Sequence, residues 1–328
     1  MLNGLLPRGL WRKRGNGDTL ALTLNENSLR YVCASQSNER GATLTAWGNE
    51  LRGSQTREAF LKRTKALLPQ AERVISVLDA RDYQILQLES PNVPPEEMHS
   101  AVRWRAMEFV EGSPDDYTLD LLPLDPEPSP RVTKIIAVLA RNDLVRARML
   151  DCQALGLPLS IIDIAETAQR NLLYAVLLRE SKGPMVAAAL VADGARALMT
   201  IAVNGQLYFF RRFEFDTDLL AAVDEIQSEL ISNNAAAEAV MRSMTQLHRG
   251  LDLWDDTYAK LPLGTFRIDA GIKTNAIVER LLPEIGVDTQ PLALSTLFKV
   301  PVSRAPAPWT DAAYLPLLGA LLRPAEVQ

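Results

Sequence analysis

The sequence predicts an α/β fold of two lobes with a separate α/β subdomain inserted in the first, and three observations predict it. Three short apolar runs followed by helical sequence open the chain. The same order returns after residue 184, and the stretch between closes into a unit of its own. At 328 residues the chain is too long for one small core and suits two domains of ordinary size.

The elements follow in order. After Gly15 and Gly17, the runs Leu20 to Leu24, Leu29 to Cys33 and Ala42 to Gly48 are separated by Asn, Ser and Gly, the pattern of a three-stranded meander. Thr56 to Leu68 places Phe60, Leu61, Thr64, Leu67 and Leu68 on one helical face and stops at Pro69. In the insertion, Val74 to Leu78 and Gln84 to Leu88 read as strands. Pro94-Pro95-Glu96-Glu97 reads as a helix start and Met98 to Val110 as the helix. The proline-rich stretch Leu122 to Pro130 is a loop, and Val132 to Leu139 is apolar enough for a central strand. Asn142 or Asp143 offers a cap to a helix whose Val145, Met149 and Cys152 point inward and which ends at Gly156.

The second lobe opens with Met185 to Val191, Leu198 to Val203 and Leu207 to Phe213, bounded by Asp193-Gly194 and Asn204-Gly205. Asn-Gly between apolar runs is a strong hairpin signal. Helical sequence follows from Asp218 to Ile231 and continues through Met241, Met244, Leu247, Leu251 and Trp254. Such repetition is what a ribonuclease-H-like duplication of the actin-like kind produces, independently of any motif. The expected organisation is a basic amphipathic tail over 1–17 and a first lobe over 18–73 and 157–183, closed by a helix over 309–325. An inserted subdomain occupies 74–156, and the second lobe 184–308.

Composition excludes several classes of function. With 47% hydrophobic and 23% charged residues the chain can bury sizeable cores. No window approaches the run of about 20 apolar residues that spans a bilayer, and no signal-peptide stretch follows Met1, so a cytoplasmic place is expected. The formal charge is −5, while the first fourteen residues carry Arg8, Arg12, Lys13 and Arg14 and no acid. An acidic body argues against nucleic acid as a partner. The bases interleave with Leu2, Leu5, Leu6, Leu10 and Trp11, so the tail has two readings, an anionic membrane surface or a solvated extension weakened as a helix by Gly4, Pro7 and Gly9.

Cys33 and Cys152 stand far apart and form no zinc pattern or disulfide framework. His99 and His248 have no metal-ligand array around them. Asp115-Asp116 and Asp255-Asp256 read as solvated turns or caps rather than general acids and bases. No Walker loop, serine elbow or Rossmann fingerprint appears, so catalysis is not expected and no metal site is assigned.

The insertion carries a resemblance. Tyr83 to Pro91, then Pro94-Pro95-Glu96-Glu97 and Ala101-Val102-Arg103-Trp104, resemble the corresponding stretch of the PilM/MshI-like proteins of type IV pilus assembly. The likeness continues through Tyr117 to Leu122, Ala137 to Arg141, Leu155-Gly156-Leu157 and Ile162-Asp163-Ile164. Gln246 to Asp252 and Tyr314 to Arg323 are similar to later helices of the family. The resemblance implies an actin-like scaffold at the inner face of the membrane, related to the cytoplasmic part of GspL. Such a protein binds the amino-terminal tail of a PilN-like membrane protein in a groove between the first lobe and the inserted subdomain, and an assembly motor ATPase is a further implied partner.

For that groove the residues are Gln84, Leu86, Leu88, Met98, Val102, Arg103, Trp104 and Phe109. Met98, Val102 and Phe109 share one helical stripe while Trp104 lies off it. Two readings of Trp104 stand, a contact for a partner or a groove wall buried within the protein.

An actin-like fold implies ATP with Mg held between its lobes by two hairpin loops, which offer backbone N–H groups and small hydroxyls. The matching first loop here is Thr23, Leu24, Asn25, Glu26, Asn27 and Ser28, with the family's acid and glycine replaced. Glu26 would set a like charge beside a polyphosphate, costing about 4 kcal/mol at about 4 Å and an effective dielectric of about 20. In the second loop Ala192 stands where the acid belongs, followed by Asp193 and Gly194. The paired glycines of the adenosine region are reduced to Ala270-Gly271. The expectation is therefore a degenerate nucleotide site with no cofactor, and the alternative is an active ATPase with divergent loops. Ordinary hairpin turns explain Asn25 to Asn27 and Asp193-Gly194 equally.

Overall fold

The computed structural model describes residues 17–124, 134–181, 185–217, 234–301 and 306–323. The amino-terminal tail up to residue 16, positions 125–130 of the proline-rich loop and the helix expected over Asp218 to Ile231 lie outside the described residues. The chain divides into two compact units, one of residues 1–37 and 42–165, the other of 38–41 and 166–328.

In the first unit the meander forms as β1 (Thr19–Leu24), β2 (Ser28–Asn38) and β3 (Gly41–Leu51), followed by α1 (Arg57–Lys65) and β4 (Arg73–Val77). Thr56 caps α1 by accepting from the Ala59 N–H. The inserted subdomain is β5 (Tyr83–Glu89), α2 (Pro95–Ala106), β6 (Tyr117–Pro123), β7 (Lys134–Arg141) and α3 (Asn142–Leu155), and the chain then returns to the lobe as β8 (Leu159–Asp163). Within this unit the main sheet runs β3-β2-β1-β4-β8. β2 is antiparallel to β1, while β4 and β8 are parallel to it. Leu20, Leu22 and Leu24 alternate onto the face where Phe60, Leu61 and Leu155 complete the core, as strand periodicity requires.

The insertion has its own antiparallel sheet, β5-β7-β6, with the apolar strand β7 central as its sequence demands. Leu88, Leu119, Ile135, Ala137 and Leu139 pack against Val102 and Ala106 of α2. β6 is a strand that the sequence reading did not assign. Gly156 ends α3 in the left-handed conformation, φ +74°. Neither expected cap residue serves α3. Arg141 holds the cap position, Asn142 instead accepts from Thr118 and donates to the Asp115 carbonyl, and Asp143 pairs with Arg141.

The second unit holds α4 (Ala165–Arg179), β9 (Val186–Asp193), β10 (Arg196–Val203), β11 (Gln206–Glu214), α5 (Asn234–Thr257), β12 (Thr265–Asp269), α6 (Thr274–Ile285), β13 (Asp288–Pro291) and α7 (Leu315–Leu321). Its sheet runs β11-β10-β9-β12-β13, the same order as the first, with β10 antiparallel and β12 parallel to β9. Asn204 (φ +51°) and Gly205 (φ +80°) make the β10–β11 turn, with positive φ at both centres as a tight hairpin requires. α4 is held to the sheet by Gln169, whose carboxamide donates to the Ala189 and Leu198 carbonyls, both at 2.9 Å.

Two apolar expectations are corrected. Leu67 lies beyond the end of α1 and is 51% exposed. Phe109 leaves the Met98 and Val102 stripe because α2 gives way to a 3₁₀ turn over Met107–Phe109, whose tighter winding shifts the phase, and the ring is 55% exposed.

Candidate functional site

The first hairpin loop is closed on itself. The Asn25 carboxamide oxygen accepts from the Asn27 N–H (2.9 Å), the Ser28 N–H (2.8 Å) and the Ser28 hydroxyl (3.2 Å). The Asn25 N–H donates to the Ser28 carbonyl. A short amide side chain in a turn does this readily. The N–H groups of Asn25, Asn27 and Ser28 and the Ser28 hydroxyl are thus engaged, Glu26 and Asn27 are exposed, and the Thr23 hydroxyl donates to the Val77 carbonyl.

In the second loop Arg196 pairs with Asp193 and Ala197 with Ala192, so the register is regular. Ala192 is buried and Asp193 is exposed. Gly194 (φ +59°) makes the turn, and its carbonyl accepts from both the N–H and the hydroxyl of Thr217.

After β12 the chain turns at Ala270-Gly271, with Gly271 at φ +59°. The Asp269 carboxylate accepts from the Gly271 N–H (3.1 Å), and the Thr274 hydroxyl accepts from Ala270 and donates to the Gly271 carbonyl. Burial raises the Asp269 pKa to about 6, against the lowering effect of the Gly271 hydrogen bond. This carboxyl was not singled out from sequence, where a lone Asp ending a strand carries no signal.

The residues assigned to the partner groove separate into three groups. Gln84, Trp104 and Phe109 face solvent, with Trp104 71% exposed. Leu86 and Met98 are half-buried against the subdomain core, and the Arg103 guanidinium donates to the Pro114 (2.7 Å) and Tyr117 (2.9 Å) carbonyls. Leu88 and Val102 are buried in that core, so they and Arg103 are committed to holding the subdomain together rather than offered to a partner. Of the two readings of Trp104, the indole turned to solvent is the one the geometry supports.

Cys33 and Cys152 are buried thiols, and burial pushes Cys152 up to about 12. His99 Nε2 lies 3.1 Å from the Leu119 carbonyl. Among the described residues no cluster of three or more His, Cys, Asp or Glu is placed to hold a metal ion, and no helix is long and apolar enough to cross a membrane.

Two α/β units with one shared strand order, the first carrying an inserted subdomain, make this an actin-like fold. Solved structures share that fold. A chain of a PilM–PilN type IV pilus biogenesis complex superposes with a TM-score of 0.67 at 19% identity, covering 93% of this chain and 99% of that one. The cytoplasmic domain of EpsL, an inner membrane component of the type II secretion system of Vibrio cholerae, matches with a TM-score of 0.43 at 14% identity, covering 64% and 76%. A protein of Bacteroides thetaiotaomicron with an actin-like ATPase fold and unknown function gives 0.44 at 10% identity, covering 83% and 90%. No protein-family model and no curated protein sequence matches the chain.

Proposed function

We propose that this protein is a cytoplasmic scaffold of a type IV pilus or related secretion complex at the inner membrane, of the MshI-like branch, and that its inserted subdomain docks the amino-terminal tail of a PilN-like membrane protein. The observation that carries the reading is the exposed indole of Trp104 on α2, in a fold shared along nearly its whole length with a chain of a PilM–PilN complex. A large aromatic side chain kept in water, on a helix that buries Val102 and Ala106 on its other side, is the residue type that anchors interfaces. Titration calorimetry of a PilN-like tail peptide against the purified chain tests it. Binding weakened about tenfold or more by Trp104→Ala is expected, and an unchanged affinity removes Trp104 from the site.

We further propose that the scaffold does not use ATP. The Asn25 side chain occupies three donors of the first loop, Glu26 adds an anion there, and buried Ala192 stands where a metal-placing acid belongs. These residues do not fit a polyphosphate with its metal ion. Calorimetry with Mg-ATP should register no binding at micromolar concentrations, and micromolar binding with slow turnover would overturn the proposal.

A further inference from the structure

Trp104 stands in a strongly acidic stretch of the insertion. Residues 89–116 carry Glu89, Glu96, Glu97, Glu108, Glu111, Asp115 and Asp116 against only Arg103 and Arg105, so this stretch alone holds a formal charge equal to the −5 of the whole chain. All seven acids are exposed. Both bases are drawn aside to backbone carbonyls, Arg103 to Pro114 and Tyr117 at the β6 side and Arg105 to Glu89 at the β5 side, at 3.0 Å. Among the described residues no cation stacks on the Trp104 indole, and no ion pair engages Glu96, Glu97, Glu108 or Glu111. Glu97, two helical turns before Trp104, shares its side of α2, and Glu108 follows four residues after it.

That charge decides what can cover the exposed aromatics Trp104 and Phe109. An anionic bilayer would suit an indole and a phenyl ring in water, but it is repelled by this face, and nucleic acid fails for the same reason. A second copy presenting the same face would set its glutamates against these. A cationic segment meets the surface as it stands. The indole face attracts an ammonium or guanidinium group, the uncompensated glutamates lie on the same side of the helix, and Phe109 offers an apolar contact beside them. The cytoplasmic end of an inner-membrane protein has that composition, because Lys and Arg collect on the cytoplasmic side of a membrane span.

We infer that the segment docked by α2 is basic, and that one of its Lys or Arg side chains stacks on the Trp104 indole within reach of Glu97 and Glu108. This rests on the proposed docking at Trp104 and adds the partner's charge and the two residues that select it. Titration calorimetry of the full chain should compare a PilN-like tail peptide with a copy in which each Lys and Arg is replaced by Gln. The neutral copy is expected to bind about tenfold more weakly. The double variant Glu97→Gln/Glu108→Gln should weaken the basic peptide about fivefold at low salt and less at high salt, and should leave the neutral copy unchanged. Asp255→Asn/Asp256→Asn, the same change in net charge at exposed positions of α5, should leave both affinities within about twofold of the parent's. Equal affinity for the two peptides, with Trp104→Ala still weakening both, overturns the basic selection and leaves the docking at Trp104 standing. Equal weakening of both peptides by the glutamate variant assigns the loss to the helix and also overturns it. Affinity that Trp104→Ala does not change removes the docking site and the selection together.

Discussion

The two sheets of this protein run in one order, three meander strands and then two strands parallel to the first, yet they differ in what joins those last two strands. Between β4 and β8 the first unit inserts a whole subdomain over 78–158, while between β12 and β13 the second uses only a 3₁₀ turn and α6 over 270–287. A crossover must cover the sheet with something apolar. In the second unit one helix does so. In the first, α3 supplies Leu155 to the lobe core and Cys152 and Val145 to its buried face, and the rest of the insertion is free to present Trp104 to solvent. New surface has entered the duplicated fold where a connection could lengthen without disturbing strand order.

The two units are also held differently, and the largest expected effect separates them. The first relies on apolar packing around Phe60, which is fully buried between α1 and β1. Phe60→Ala should cost about 4 kcal/mol, since the ring leaves a cavity that the sheet cannot collapse into. Urea unfolding should register it, with hydrogen-exchange protection lost in β1, β2 and α1. The second unit buries a whole guanidinium besides its apolar core: Arg267 meets Glu180 at 2.6 Å and Gln290, and the buried Glu166 meets Arg212 at 2.5 Å. Equal loss of protection from both units on Phe60→Ala would mean that they do not unfold separately.

Asp269 sharpens the contrast through pH. Its folded pKa of about 6 exceeds the ordinary carboxylate value of 3.8, so the folded state holds the proton more tightly than the unfolded chain. The contribution is therefore fully present below pH 3.8 and is lost as pH rises through about 6, for a cost of up to about 3 kcal/mol above that. Asp269→Asn keeps the acceptor for the Gly271 N–H and removes the charge. The variant should be more stable than the parent at pH 7.5, and its advantage should vanish by pH 3.5. An unchanged melt at both pH values would show that water already solvates this carboxylate.

The third effect lies at the junction that the second unit lacks. Asp151 of α3 accepts from Arg57 of α1 at 2.5 Å and from Arg148 at 3.2 Å, and Arg148 also reaches Asp82 at 3.3 Å. Arg57 is partly exposed, which screens its share, so Asp151→Asn should cost about 2 kcal/mol. The loss should appear as faster exchange in α3 rather than in β9–β11.

Much of this organisation was legible in the sequence, because it depends on local signals. Asn204-Gly205 can only turn, Gly156 can only end a helix cheaply, and β7 is apolar along a length that only a central strand buries. The illegible parts depend on partners distant in sequence. β6 alternates weakly and becomes a strand only beside β7, and Asn142 abandons its cap for Thr118, which β6 delivers. In the assigned groove, Val102 and Trp104 are two residues apart on a helix, so one must face the core when the other does not, but the stripe alone did not say that Phe109 would leave it. The switch to 3₁₀ winding at Met107 decides that, and no residue type there announces it.

Trp104 gives the smallest expected folding effect and for that reason the sharpest comparison with Val102. Val102 is fully buried in the subdomain core, so its truncation to Ala should cost about 1–2 kcal/mol and disturb binding only through the fold. Trp104 is mostly in water, so Trp104→Ala should change the unfolding free energy by less than about 0.5 kcal/mol. If peptide affinity nevertheless falls, the loss belongs to the contact and not to the helix. A Trp104→Ala chain that unfolds as readily as Val102→Ala would place the indole in the packing of the subdomain, and the docking surface would have to be sought elsewhere on the insertion.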